Sequence, residues 1–177
     1  MEKEYWKKLY KKRIPDIPTI FALFCSNFID GKLVELGCGN GRDVRHFLDR
    51  GIDAIGVDLF TSGENIICED VGNYIKNNKS PKNVYTRFFW HSIDDELQRK
   101  ILKWVNGYIF IETRTDKDKP KNIFGKHKRN LTNVNNLLSE LIGNKFEIVF
   151  LRQGRDVARY KKENPHILWI IAKKSQS

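Results

Sequence analysis

Two carboxylates 23 positions apart, Glu35 and Asp58, bracket three alternating glycines, Gly37, Gly39 and Gly41. A glycine-rich turn that opens a helix lets backbone N–H groups approach a polar ligand closely. Asp58 can accept two hydrogen bonds from a ribose diol, and Glu35 can sit beside an ammonium group. A dinucleotide would call for Gly-x-Gly-x-x-Gly, with its third glycine at position 42. That position is Arg42, and the run reads Glu-x-Gly-x-Gly-x-Gly instead. The chemistry of this cluster is therefore the holding of a polar, ribose-bearing ligand other than a dinucleotide.

The elements around it must put both acids at one end of a sheet. Leu33-Val34-Glu35-Leu36 reads as a short buried strand, and Asp43 to Arg50 as a helix with Val44, Phe47 and Leu48 inward. Ala54 to Asp58 is a second strand, so strand, turn, helix and strand make a right-handed parallel βαβ unit. Only about a dozen residues join Asp58 to Asp70, too few for a full crossover helix, which is expected to shrink to a loop. A short helix over Val71–Asn78, a strand over Asn83–Phe89, a helix from Asp94 to Val105 and a strand over Tyr108–Glu112 follow. A lysine-rich loop spans Thr115–Asn130, then a helix near Leu131–Leu141 and strands at Phe146–Leu151 and Ile167–Ala172, expected as an antiparallel pair. Before the first strand, residues 3–13 suggest a helix with Tyr5, Trp6 and Tyr10 on one face. Asp16-Ile17-Pro18 offers a second helix start, with Ile20, Phe21, Leu23, Phe24 and Phe28 at helical spacing and Gly31 as its end. Asp43 is expected to favour the start of its own helix.

At 177 residues, with 40% apolar and 12% aromatic content, the chain reads as one globular domain: 1–30 as N-terminal helices or lid, 31–177 as core. No membrane span or secretory leader is visible, and a cytoplasmic address is expected. Cys25, Cys38 and Cys68 suit neither a disulfide framework nor a zinc site and are expected reduced and buried; no metal is expected. The formal charge of +10 is concentrated in Lys7–Arg13, Lys117–Arg129 and Arg152–Lys162. Such a surplus implies an anionic partner, or simply solvated lysines.

Glu35-Leu36-Gly37-Cys38-Gly39-Asn40-Gly41 resembles motif I of the class I S-adenosylmethionine-dependent methyltransferases. The resemblance implies a Rossmann-like α/β fold: a mostly parallel seven-stranded sheet whose last strand is antiparallel, here with the second crossover helix reduced. It implies that the motif I run, Glu35 and Gly37 through Gly41, lines the cofactor, with Glu35, Gly37, Cys38 and Gly39 at the methionine half. Asp58 matches the ribose-binding acid, with Leu59 under the adenine. Asp70 matches the acid near the adenine amino group, with Val71 beside the ring. Tyr5-Trp6, Phe21-Ala22, Tyr85 to His91, Ile111 to Arg114, Ala158-Arg159-Tyr160 and Glu163-Asn164-Pro165 are similar to small methyltransferases associated with bacterial capsule and surface-glycan biosynthesis.

In that family, acceptors approach above the carboxyl ends of strands four and five. Arg87 and His91 follow strand four and Arg114 ends strand five, so the three are candidates for one anion-binding pocket. His91 is the leading candidate for a general base and His127 the second, since imidazole titrates near neutrality. Each has a structural alternative: His91 as a satisfied core residue, and Arg87 as a partner of Glu112 or Asp94. An acceptor that is already an oxyanion needs no base, only positioning. The expected activity is O-methylation of an anionic small molecule, phosphosugar or glycan. The alternatives are an RNA or protein methyltransferase using the basic surface, and a non-catalytic subunit that binds cofactor. Convergence of Arg87, His91 and Arg114 favours a small anion, whereas a stripe joining Lys8, Lys121 and Lys161 favours nucleic acid.

Overall fold

The computed structural model describes residues 16–118, 129–159 and 163–175. The expected helix over residues 3–13 with Tyr5, Trp6 and Tyr10, and also Lys8, Lys121, His127, Tyr160 and Lys161, lie outside them.

The first described helix, α1 (Ile20–Cys25), starts later than the Asp16-Ile17-Pro18 signal suggests. Thr19 takes the N-cap, its hydroxyl accepting from the Ala22 amide at 3.1 Å. Its buried side is Phe21, Ala22 and Cys25, while Ile20 and Leu23 are 67% and 48% exposed. β1 (Leu33–Leu36), α2 (Arg42–Asp49) and β2 (Ala54–Asp58) form the βαβ unit, with β1 and β2 parallel. β3 (Ile66–Cys68) follows β2 without an intervening helix, as the short link requires. Cys68 is exposed, contrary to expectation, because β3 is the short edge strand; Cys25 and Cys38 are buried.

The second half continues with α3 (Val71–Asn77), β4 (Asn83–Arg87), a 3₁₀ turn over Trp90–Ser92, α4 (Asp95–Trp104) and β5 (Tyr108–Arg114). Then come α5 (Val134–Gly143), capped by Asn133, β6 (Phe146–Gly154) and β7 (Ile167–Lys174). β4 is shorter than its apolar run because Phe88 turns out of the strand at φ +52°. β5 is longer because Thr113 and Arg114 keep pairing with Leu168 and Ile167.

The seven strands lie in the order β3-β2-β1-β4-β5-β7-β6. The first five are parallel, and β7 enters antiparallel between β5 and β6. Helices cover both faces. Phe21, Cys25, Val44 and Phe47 of α1 and α2 pack on one, against Tyr85, Phe110 and Trp169. Tyr74, Ile101, Leu102, Leu137 and Leu141 of α3, α4 and α5 pack on the other. Among the described residues no helix is long and apolar enough to cross a membrane.

Side chains alternate across a strand, so register decides what meets. Glu35 pairs with Tyr85, Arg87 with Glu112, and Glu112 with Trp169. All five side chains therefore fall on the face that α1 and α2 cover, four of them near the carboxyl ends of the parallel strands.

Candidate active site

The glycine turn is tied down by the second acid. Asp58 accepts the Gly39 amide at 3.0 Å and the Phe60 amide at 2.9 Å, one on each carboxylate oxygen. Each oxygen keeps a second lone pair, which is what a ribose diol requires. Gly37, Gly39 and Gly41 all have positive φ. A Cβ on Gly37 would stand 2.3 Å from the Phe89 ring, so the turn and the segment after β4 are in direct contact. Thr61 adds a hydroxyl bond of 2.5 Å to the Gly39 carbonyl.

Glu35 is 4% exposed, and its Oε2 has no hydrogen-bond partner among the described residues. Burial pushes its carboxyl well above the usual range, and the neighbouring Asp43 carboxylate adds to the effect. An orphaned buried oxygen beside a glycine turn is a place prepared for a donor that the fold itself does not supply. Cys38 fills the space that the missing Cβ of Gly56 leaves, and burial raises its thiol pKa far beyond reach at neutral pH, so it packs rather than reacts. The Asn40 carbonyl accepts from Arg45 at 2.8 Å. Leu59 stays 44% exposed at the end of β2, Asp70 caps α3 through the Asn73 amide, and Val71 is buried behind it.

Asp43 does more than favour its helix. It accepts the Thr19 amide and hydroxyl, both at 2.9 Å, and the Tyr85 hydroxyl at 3.1 Å. It thereby fastens the segment before α1 to the glycine turn and to β4. A buried Asp at the second position after a glycine turn is the signal that was available for this hub.

Beyond β4, Phe88 gathers the three residues singled out in the sequence. The Arg87 guanidinium lies 4.6 Å from its ring centroid, the Arg114 guanidinium 6.0 Å, and the His91 ring 5.8 Å. Arg114 is buried and holds two carboxylates, Asp118 at 3.2 Å and Glu163, so its charge is spent within the protein. His91 is buried, and its Nδ1 accepts the Arg114 amide at 3.2 Å. A neutral imidazole accepting at Nδ1 carries its proton on Nε2. In that tautomer the ring carries a donor at Nε2.

Arg87 pairs with Glu112, as one of its two structural alternatives had it. Its Nε is 3.2 Å from Oε1 of Glu112, a charge contact without hydrogen-bond alignment. Burial works against its charge, but Glu112, Tyr85, Asp43 and Glu35 acting together hold the guanidinium pKa above its ordinary value. Glu112 in turn accepts the Trp169 indole N–H at 2.7 Å. Among the described residues no group of three or more His, Cys, Asp or Glu side chains could hold a metal ion.

Comparison with known proteins decides the family. A family model described as a methyltransferase domain matches residues 5–162. The chain belongs to this family. This methyltransferase also shares its fold with an S-adenosylmethionine-dependent methyltransferase from Archaeoglobus fulgidus, at 20% identity and TM-score 0.64, over 86% of this chain and 92% of that one. It is similar as well to the Burkholderia thailandensis 1,6-didemethyltoxoflavin-N1-methyltransferase, crystallised with its acceptor and S-adenosylhomocysteine. The identity there is 18% and the TM-score 0.66, over 88% and 76% of the two chains. A methyltransferase from Methanosarcina mazei matches at 15% identity and TM-score 0.66, over 85% and 96%. No curated protein sequence matches the chain. The methyltransferase uses S-adenosylmethionine, and the orphaned oxygen of Glu35 and the open lone pairs of Asp58 suit that molecule's ammonium and ribose.

Proposed function

We propose that this methyltransferase methylates an oxygen of an anionic acceptor, such as a phosphosugar or a glycan terminus, and that Arg87 receives the acceptor's charge. One observation carries the reading. Arg87 meets Glu112 only through Nε, its side chain is 22% exposed, and its terminal N–H groups make no hydrogen bond to the described residues. A guanidinium held at one edge with its fork open is suited to an oxyanion.

In the same reading Glu35, Gly37, Cys38, Gly39, Asn40 and Gly41 line the cofactor, Asp58 holds its ribose, and Leu59, Asp70 and Val71 surround its adenine. The bound cofactor supplies an electrophilic methyl group. The protein's own part is to hold the acceptor oxygen in line with that carbon, which is where most of the acceleration arises. Arg114 holds the His91 ring in place beside Phe88 through its amide. An acceptor already ionised needs no proton removed. The likeness of several segments to capsule and surface-glycan methyltransferases points to a glycan or its precursor.

A methyl-transfer screen with labelled cofactor tests this against nucleotide sugars, phosphosugars, capsule fragments and RNA. Turnover on a phosphosugar or acidic glycan, with Arg87→Ala losing about 10- to 100-fold in kcat/KM at unchanged affinity for S-adenosylhomocysteine, is the expected result. Turnover confined to neutral acceptors or to RNA overturns it.

A further inference from the structure

Arg42 is the first residue of α2, immediately after the glycine turn. Its side chain is 20% exposed, and its guanidinium makes no hydrogen bond to any described residue. The nearest carboxylate, Asp43, lies 3.8 Å from its Nε, with both oxygens already committed to Thr19 and Tyr85. Arg42 also stands within electrostatic reach of Arg87, and the two guanidiniums repel one another. Arg87 is similarly short of acceptors, because Glu112 turns its other oxygen to Trp169. Two half-buried cations thus stand at one end of the sheet, each beside one carboxylate at its Nε and with terminal donors that make no hydrogen bond to the described residues. Like charges placed together out of water are costly unless an anion joins them. The Oε2 of Glu35, which suits the cofactor's ammonium, is buried and has no partner among the described residues, on the strand next to β4.

We infer that Arg42 and Arg87 form a two-guanidinium seat for one phosphate or carboxylate group of the acceptor. This rests on the reading of an anionic acceptor above and adds to it the second arm of the binding site. Arg87 leans toward Phe88 and the acceptor end of β4 and β5, and Arg42 closes the seat from the side of the glycine turn. The residue that departs from the dinucleotide pattern at position 42 is then itself a ligand contact.

The test uses inorganic phosphate as the probe, titrated by calorimetry into the full chain saturated with S-adenosylhomocysteine. Arg42→Met and Arg42→Lys are the variants, since Arg42 holds no hydrogen bond whose loss would unfold the protein. Phosphate binding weakened about 10-fold or more by Arg42→Met, and partly restored by Arg42→Lys, is expected. Phosphate binding that is absent in the parent, or equal in parent and Arg42→Met, overturns the seat. A second titration separates the cofactor from the acceptor. Should Arg42→Met weaken S-adenosylhomocysteine but spare 5′-methylthioadenosine, which lacks the amino-acid end, the seat serves the cofactor carboxylate and the acceptor assignment falls. If phosphate binding depends on Arg42 but the screen finds no anionic acceptor, the seat stands and the broader reading fails.

Discussion

The carboxyl ends of β1 and β2 and those of β4 and β5 lie side by side and are held in different ways. At the first, main chain does the work: the Gly39 and Phe60 amides bind Asp58, and positive φ at three glycines shapes the turn. At the second, side chains from distant segments hold one another: Arg114 with Asp118 and Glu163, Arg87 with Glu112, Glu112 with Trp169. Among the described residues the first leaves a carboxyl oxygen of Glu35 without a hydrogen-bond partner, and the second leaves the terminal donors of Arg87 without one. A cofactor common to a whole family can be met by backbone geometry. In the proposed reading, an acceptor peculiar to one enzyme is met by groups that single substitutions can change.

The largest expected effect falls on the second region. Arg114→Ala takes the nearest cation from buried Asp118, leaving it Arg155 at 3.7 Å, and from partly buried Glu163; it is expected to cost about 3 kcal/mol, lowering the melting temperature by roughly 10 °C. A calorimetric scan showing only a small shift would mean that the ion pairs at this end are dispensable. Gly37→Ala strikes the first region, where the added Cβ meets both a positive φ and the Phe89 ring. A loss of about 2–4 kcal/mol is expected in chemical denaturation, together with loss of S-adenosylhomocysteine binding.

Glu35→Gln sharpens the contrast, because its sign is opposite. The Glu35 pKa is raised in the folded protein, so the native state retains a proton that the unfolded chain releases. Stability of the cofactor-free protein therefore falls as pH rises from the ordinary carboxylate range toward the folded-state value, and the penalty is complete above it. Glu35→Gln removes that slope. It is expected to stabilise the free protein by about 1 kcal/mol at pH 8 and less at pH 5, measured by urea unfolding, while weakening S-adenosylhomocysteine about 10-fold. The smallest effect is that of Thr19→Ala, which removes a helix cap and a bond to Asp43. A cost of about 1 kcal/mol is expected, with a modest rise in KM for the cofactor if the segment before α1 helps to order the turn.

The same contrast explains what was legible in the sequence. The turn is contiguous, so Gly37 to Gly41 and Asp58 could be picked out before any fold was known, and the structure shows the glycines at positive φ and Asp58 accepting the Gly39 amide. The parallel βαβ unit followed from the strand–turn–helix–strand pattern, and the missing helix after β2 from the short link to Asp70. The partner of Arg114 could not be foreseen, because Glu163 lies 49 residues away on the β6–β7 connection. Nor could the tautomer of His91, which depends on an amide brought alongside by β5. The buried side of α1 was misjudged in part because Ile20 and Leu23 share helical spacing with Phe21, and only the position of Trp169 and Tyr85 decides which of them turns inward.

The place of β7 has a consequence for how the molecule comes to be made. It lies between β5 and β6, yet follows both in the chain. As the chain emerges during synthesis, β5 waits with an open edge and β6 has no neighbour until β7 arrives. Glu112 meanwhile lacks the Trp169 indole. Assembly of the end of the sheet that carries Glu112 is therefore among the last events of folding, and the glycine turn can be in place well before it.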